Sequence, residues 1–325
     1  MRVLNRRSVM AVGALVLTAV CGLAVAQPYP SRPVKLVAAN PPGGLTDTVS
    51  RMLAPRLQEA WGQAVVVENK PGANGGVAAA SLASSPLDGY AFIVADGSML
   101  TVNPLVSSKL SYDAQKDFVP VSLVGQAPLF LAVSPKLKVN TLEELIALAK
   151  SKPGALNYGS SGIGSTHHLT MEAMKGSLNL FVTHIPFRGS SASVPALLGG
   201  EVDMVFSAYP SIAGFVKSGQ VKLLAVNSSK RWAQEPNVPA IAETIPGFDF
   251  APNIIIIART GTPPEAINRL SAEIAKIAKQ PDAIELMRNA GVNLIGGSPS
   301  DLAAALHRES EQMKVVAKQA NLQRE

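Results

Sequence analysis

Two short stretches bring together the residue types best suited to hold a small anion. The first, Asn40-Pro41-Pro42-Gly43-Gly44-Leu45-Thr46-Asp47, follows an apolar run and opens a segment in which Val49, Met52 and Leu53 share one helical face. Paired glycines let a backbone pass close to a ligand, and the unpaired N–H groups of a helix's first turn attract negative charge. The same proline and glycine content also describes a plain turn. Asp47 competes for the positive end of the helix dipole, so its carboxylate is expected to cap the helix rather than touch a solute. The second stretch, Tyr158-Gly159-Ser160-Ser161-Gly162-Ile163-Gly164-Ser165-Thr166-His167-His168, again stands between a strand-like run and a helix-like one. Its hydroxyl and backbone donors suit carboxylate or hydroxyl groups. Two such helix starts facing each other across a cleft would hold both ends of a small diacid without burying a lysine or an arginine.

Catalytic readings of the same residues fall short. Gly159-Ser160-Ser161-Gly162 does not match the G-x-S-x-G nucleophile elbow, and His167 stands where a dinucleotide fingerprint needs its third glycine. A secreted hydrolase pairing Ser160 or Ser161 with His167 or His168 remains as a rival, with the missing elbow against it. His168 and Glu172 are four apart, as helical metal ligands are, but no second histidine of H-E-x-x-H or nearby cysteine accompanies them, and structural roles are expected. His184, in an apolar run, is expected in the core or the cleft wall, and Arg188 could reach a ligand. No cofactor, metal or catalytic residue is therefore expected.

The intervening pattern says what must position the two loops. Valine- and isoleucine-rich runs at 35–39, 64–67 and 91–95 read as strands separated by amphipathic stretches, so the class is α/β with largely parallel sheets. Pro55 is expected to kink or break the first helix. The run 121–133 is long for one strand and is broken near Gly125 and Pro128, as if leaving one sheet for another. A capping box, Thr141-Leu142-Glu143-Glu144, then opens a helix that buries Leu142, Leu145, Ile146 and Ala149. Strand-like runs at 156–158, 181–186, 204–206 and 221–226 continue a second α/β unit. Ile254, Ile255, Ile256 and Ile257 mark a buried strand, and Thr262-Pro263-Pro264-Glu265 reads as a second capping box. Ile267, Leu270, Ile274 and Ile277 form the stripe of that helix, and Leu302, Leu306, Met313 and Val316 that of the last. Residues 27–125 with 250–325 are expected to build one lobe and 126–249 the other, with two crossover strands as a hinge.

Residues 1–26 have the layout of a cleaved secretory signal: Arg2, Arg6 and Arg7, an apolar core, and Ala24-Val25-Ala26 before Gln27. Taking those three arginines from 29 basic residues leaves 26 against 23 acidic ones, a net charge near +3. No basic cluster points to nucleic acid. Cys21, the one cysteine, leaves with the signal, so neither a disulfide framework nor a thiol nucleophile is expected.

With both loops in view, the chain resembles the Bug family, the periplasmic receptors of tripartite tricarboxylate transporters. The likeness includes Tyr29-Pro30-Ser31-Arg32-Pro33, the Pro-Pro-Gly-Gly loop, Val67-Glu68-Asn69-Lys70-Pro71-Gly72-Ala73 and Asp88-Gly89-Tyr90. Lys116-Asp117-Phe118-Val119-Pro120-Val121, the second loop, Leu198-Gly199-Gly200-Glu201-Val202-Asp203 and Gly261-Thr262-Pro263 continue it. The resemblance implies a two-lobed Venus-flytrap periplasmic binding protein that closes on a small organic acid and delivers it to a membrane permease; a monomer is expected. It maps solute contacts onto Asn40, Gly43, Gly44, Leu45, Thr46 and Asp47, and onto Ser160, Ser161, Gly162, Gly164, Ser165 and Thr166. Ser207 stands where family members often carry an aspartate that could pair with a ligand ammonium, so a simple di- or tricarboxylate is expected over an amino acid. An aromatic carboxylate, or a sensing role beside a membrane signalling protein, are the alternatives.

Overall fold

The structure, a computed structural model, describes residues 29–187 and 189–322. The export segment read at 1–26 and the candidate Arg188 lie outside them. The chain runs β1 (Val34–Ala38), α1 (Leu45–Trp61), β2 (Val65–Asn69), α2 (Gly76–Ala83), β3 (Ala91–Asp96), the short helices α3 (Ser98–Thr101) and α4 (Asn103–Val106), and β4 (Phe118–Gln126). It continues through β5 (Leu129–Val133), α5 (Leu142–Ser151), β6 (Asn157–Ser160), α6 (Thr166–Leu178), β7 (Thr183–Pro186), α7 (Ser190–Gly199), β8 (Met204–Ala208), α8 (Tyr209–Lys217) and β9 (Lys222–Val226). It ends with β10 (Asn253–Arg259), α9 (Pro264–Ile277), α10 (Pro281–Asn289), β11 (Asn293–Gly297) and α11 (Pro299–Gln319).

Two sheets result, one of six strands in the order β11-β4-β10-β3-β1-β2 and one of five in the order β7-β6-β8-β5-β9; both are mixed rather than largely parallel as expected, because β10 and β5, each entered by a crossover from the other sheet's side, run antiparallel to their neighbours. Both faces of each are covered, which is why their strands read as continuous apolar runs rather than alternating ones. The isoleucine strand shows the principle: Ile254 and Ile256 pack into the core on one face, Ile255 and Ile257 into the core on the other, and all four are wholly buried. Each such side chain is worth about 1.5–3 kcal/mol of burial.

Strand polarity decides where the loops point. β4 is antiparallel to β10, which is antiparallel to β3, which is parallel to β1, so Gln126 and the end of β1 share one edge of the larger sheet. In the smaller sheet Leu129 pairs with Ala208 at the end of β8, which runs parallel to β6. The chain passes from Gln126 to Leu129 through two residues, so each glycine-rich loop stands on the edge that faces the other lobe. As read from sequence, the run 121–133 does change sheets.

Asn227, with no exposed surface, fastens both crossovers. Its Oδ1 accepts the Leu129 N–H at 2.8 Å, and its Nδ2 donates to the Phe250 carbonyl at 2.8 Å. A third connection was not anticipated. Helix α11 begins among the larger sheet's core with Leu302 and Ala305 and ends in the smaller sheet's core with Met313 and Val316. Leu105 and Val106 of α4 also pack against that second core.

Three local expectations need correction. Helix α1 runs unbroken through Pro55 to Trp61. Helix α9 starts at Pro264 with Pro263 as its N-cap and no side-chain cap, because proline has no N–H and no hydroxyl to offer; Thr262 makes no capping box. At α5 the Thr141 hydroxyl accepts the Glu144 N–H at 3.2 Å as expected, but the Glu144 carboxylate takes the N–H of Asn140, one residue earlier than a capping box requires.

Candidate ligand-binding cleft

The first loop is held by its own side chains. Asn40 and Thr46 bond reciprocally: the Asn40 N–H reaches Thr46 Oγ1 and the Thr46 N–H reaches Asn40 Oδ1, each at 3.0 Å. Asp47, buried in the first turn of α1, accepts the Gly43 N–H and the Asn69 amide, each at 2.8 Å, and pairs with Arg51 at 2.9 Å. Burial raises its pKa, but the bonds from Arg51, Gly43 and Asn69 together outweigh that and bring it down to about 2. Asn69 also donates to the Asn40 carbonyl at 3.0 Å. The Gly44 N–H closes the turn onto the Pro41 carbonyl at 2.9 Å. A Cβ on Gly44 would stand 2.6 Å from that of Asn40, so this glycine is required by the loop's own packing.

Four of the loop's backbone donors are thus engaged within it. The N–H groups of Leu45 and Asp47 find no partner among the described residues, and they are what the first turn of α1 offers an anion. Asp47 does not cap α1 as expected: the N-cap Gly44 has no side-chain cap, and the carboxylate holds the Gly43 N–H one residue earlier.

The second loop repeats the design. Ser165 caps α6 by accepting the His168 N–H at 3.2 Å, and its hydroxyl donates to the Gly162 carbonyl at 2.7 Å. The Gly164 N–H reaches His168 Nδ1 at 3.1 Å. Ser160 is wholly buried and bonds His184 Nε2 at 2.7 Å, while Ser161 bonds His167 Nδ1 at 2.8 Å. The N–H groups of Thr166 and His167 find no partner among the described residues, as those of Leu45 and Asp47 do not.

The histidines are structural in geometry. The rings of His168 and His184 stack at 4.1 Å, and Tyr158 stacks on His184 at 4.8 Å. Glu172 accepts from the Tyr158 hydroxyl at 2.5 Å and from Lys175 at 2.6 Å, so it is not the partner of His168 in a metal site; no three-residue metal cluster occurs among the described residues. Burial brings His167 down to about 4, and burial followed by the charge of His168 brings His184 down to about 4. A base that weak, with no carboxylate bonded to it among the described residues, is poorly suited to activating Ser161.

These neutral histidines give a stability prediction. Unfolded histidine titrates near 6.5, so the unfolded chain takes up protons first, and the stability they hold above about pH 6.5 is lost as pH falls toward about 4. Glu309, pushed up to about 7, acts in the opposite direction over part of that range. The difference between the parent and His184→Gln isolates the effect: between pH 6.5 and 4.5 the parent should lose up to about 1.4 kcal/mol per pH unit more than the variant in urea unfolding. Parallel profiles would contradict it.

Ser207 has no exposed surface, and its Oγ finds no partner. It lies in β8 opposite Phe130, inside the packed smaller sheet. Asn69, Asn74, Asp96 and Asn227 were given no role by sequence reasoning, although Asn69 lies within a motif that carried the family resemblance. Asn74 adopts a left-handed backbone at φ 45° and donates to Ser98 Oγ at 3.1 Å and to Asn103 Oδ1 at 2.7 Å. A cavity of about 200 Å³ lies beside the crossovers, with Gln126, Thr166, Asp249 and Arg308 among its lining.

Two lobes on a double crossover, each turning the start of a helix toward the other, define a solute-binding receptor. The chain belongs to the family described as the tripartite tricarboxylate transporter family receptor, whose profile matches residues 49–322. It is similar to protein BugT of Bordetella pertussis, 33% identical over 296 residues that cover 90% of this chain and 91% of BugT. Among solved structures it is similar to R. palustris Rpa4515 with adipate, at 33% identity and a TM-score of 0.79, covering 91% of this chain and 100% of that one. MatC from Rhodopseudomonas palustris with bound malate gives 27% identity and a TM-score of 0.73, with 89% and 99% covered.

Proposed function

We propose that the protein is exported, loses residues 1–26 near Ala26 and Gln27, and works as a monomer in the periplasm, capturing a small di- or tricarboxylate for a tripartite transporter permease. The observation that carries this reading is the pair of helix starts, at Leu45 and Thr166, on the facing edges of the two sheets. Backbone donors aimed from both lobes fit carboxylates at the two ends of one solute, and contacts made only when both lobes engage favour the closed state. The adipate and malate bound to the two structural relatives support the same ligand class. No helix among the described residues is long and apolar enough to cross a membrane. The weakly basic histidines support binding without catalysis.

A thermal-shift panel of mono-, di-, tri- and aromatic carboxylates, amino acids and sugars tests the reading. A solute at 100 times its dissociation constant adds about 2.7 kcal/mol of stability. A di- or tricarboxylate should produce the largest rise in melting temperature, and Ser161→Ala should leave the absence of ester hydrolysis unchanged. A rise with a sugar and with no carboxylate would overturn the ligand class. Turnover of an ester that Ser161→Ala abolishes would overturn the non-enzymatic role.

A further inference from the structure

Asp96 ends β3 on the hinge-facing edge, paired with Ile254. With Asn40, Pro41, Gly72 and Asn74 it lines a cavity of about 150 Å³ that opens on the first loop. Its Oδ1 accepts the Ser98 N–H at 2.8 Å. No lysine, arginine or histidine lines that cavity, and none pairs with Asp96 among the described residues. Behind it stands Glu309 of α11, nine-tenths buried, so close that a Cβ on Gly97 would lie 2.8 Å from its Oε2. Thr101 Oγ1 and Asn253 Nδ2 donate to Glu309 at 2.7 and 2.6 Å, and both are neutral. The charged groups that face Glu309 are Asp96 from β3 and Asp249 from the second crossover, both acids, while Arg308 acts on Asp249. Burial raises the pKa of Asp96, and burial followed by the charge of Asp96 raises that of Glu309 to about 7.

A carboxylate solute that enters this cavity beside Asn40 and Pro41 would meet the Asp96 carboxylate with no cationic side chain in the lining, and neighbouring carboxylates do not both stay ionised at hydrogen-bond distance. We propose that Asp96 is a specificity-determining residue of the cleft: it enters the complex as the carboxylic acid and donates a hydrogen bond to a carboxylate oxygen of the solute. The proton comes from solvent, so binding is accompanied by proton uptake. This rests on the carboxylate reading and adds a contact from the end of β3 that neither loop supplies.

Calorimetric titration with adipate and malate at pH 8, in buffers of different ionisation enthalpy, reads the uptake directly. The account expects close to one proton taken up per solute and an affinity that falls up to about tenfold per pH unit on the alkaline side. Asp96→Asn keeps a neutral donor, so it should bind at pH 8 at least as tightly as the parent with no proton uptake. Glu309→Gln should retain uptake. Binding heats independent of buffer in the parent would overturn the proposal without recourse to any variant. So would a preference for aspartate over succinate that Asp96→Asn removes, because Asp96 would then act as an anion toward an ammonium. If no carboxylate binds, the ligand class itself falls; if carboxylates bind without proton uptake, only the role of Asp96 falls.

Discussion

Replacing Asn227 with alanine lowers the free energy of unfolding by about 3 kcal/mol, measured by urea denaturation at neutral pH. The side chain is wholly buried, and its two ends serve different crossovers: Oδ1 holds the Leu129 N–H and Nδ2 holds the Phe250 carbonyl. Alanine leaves both backbone groups in the interior without partners, each at a cost of about 1–3 kcal/mol. The backbone bonds that Asn227 also makes, to the Leu129 carbonyl and from the Phe250 N–H, survive the substitution and limit the damage to that range. Because the two crossovers set how the lobes approach, solute affinity should fall as well, although Asn227 belongs to neither loop. A loss of stability under about 0.5 kcal/mol would mean that the crossovers hold their positions without it.

Replacing Asp47 with alanine weakens carboxylate binding by about two orders of magnitude and destabilises the fold by about 2–4 kcal/mol. The carboxylate is the one acceptor shared by Gly43, Asn69 and Arg51, and Asn69 in turn holds the Asn40 carbonyl. Without it the Gly43 turn and the start of α1 lose their common anchor, and the Leu45 and Asp47 N–H groups no longer present a fixed pair. Removing an acid from an anion site would ordinarily strengthen anion binding by Coulomb's law, so the expected sign separates positioning from simple charge. Asp47→Asn keeps the shape but turns one acceptor into a donor against Gly43 or Asn69, and should fall between the parent and alanine. The pKa of about 2 places the acid loss of this anchor well below physiological pH: its contribution is complete above the unfolded carboxylate value near 4 and disappears as pH falls through about 2. Tighter carboxylate binding by Asp47→Ala in calorimetry would refute the positioning role.

Much of the architecture was legible because it lies in local patterns. Continuous β-branched runs marked strands covered on both faces, the four isoleucines most clearly, and Pro128 marked the change of sheet. The two strand–loop–helix turns were legible for the same reason, since glycines followed by a helical stripe leave a signature within one stretch of chain. What stayed hidden depends on contacts far apart in sequence. Asn227 reads as an ordinary polar residue after an apolar strand, and only the fold shows that Leu129 and Phe250 converge on it. Glu309 sits among Arg308, Glu311 and Lys314 and was left out of the stripe read from Leu302, Leu306, Met313 and Val316, yet it is buried and accepts from Thr101 and Asn253. Ser207 shows the reverse case: a position singled out by comparison with a family proves to be sealed within the sheet.

A crystal structure of the complex with whichever di- or tricarboxylate raises the melting temperature most tests the central claim directly. The account predicts one carboxylate at the first turn of α1, within hydrogen-bond distance of the Leu45 and Asp47 N–H groups, and the other at the first turn of α6, near those of Thr166 and His167. A solute seated instead against Asp249 and Arg308 in the hinge cavity, with the Leu45 and Asp47 N–H groups bare, would contradict it.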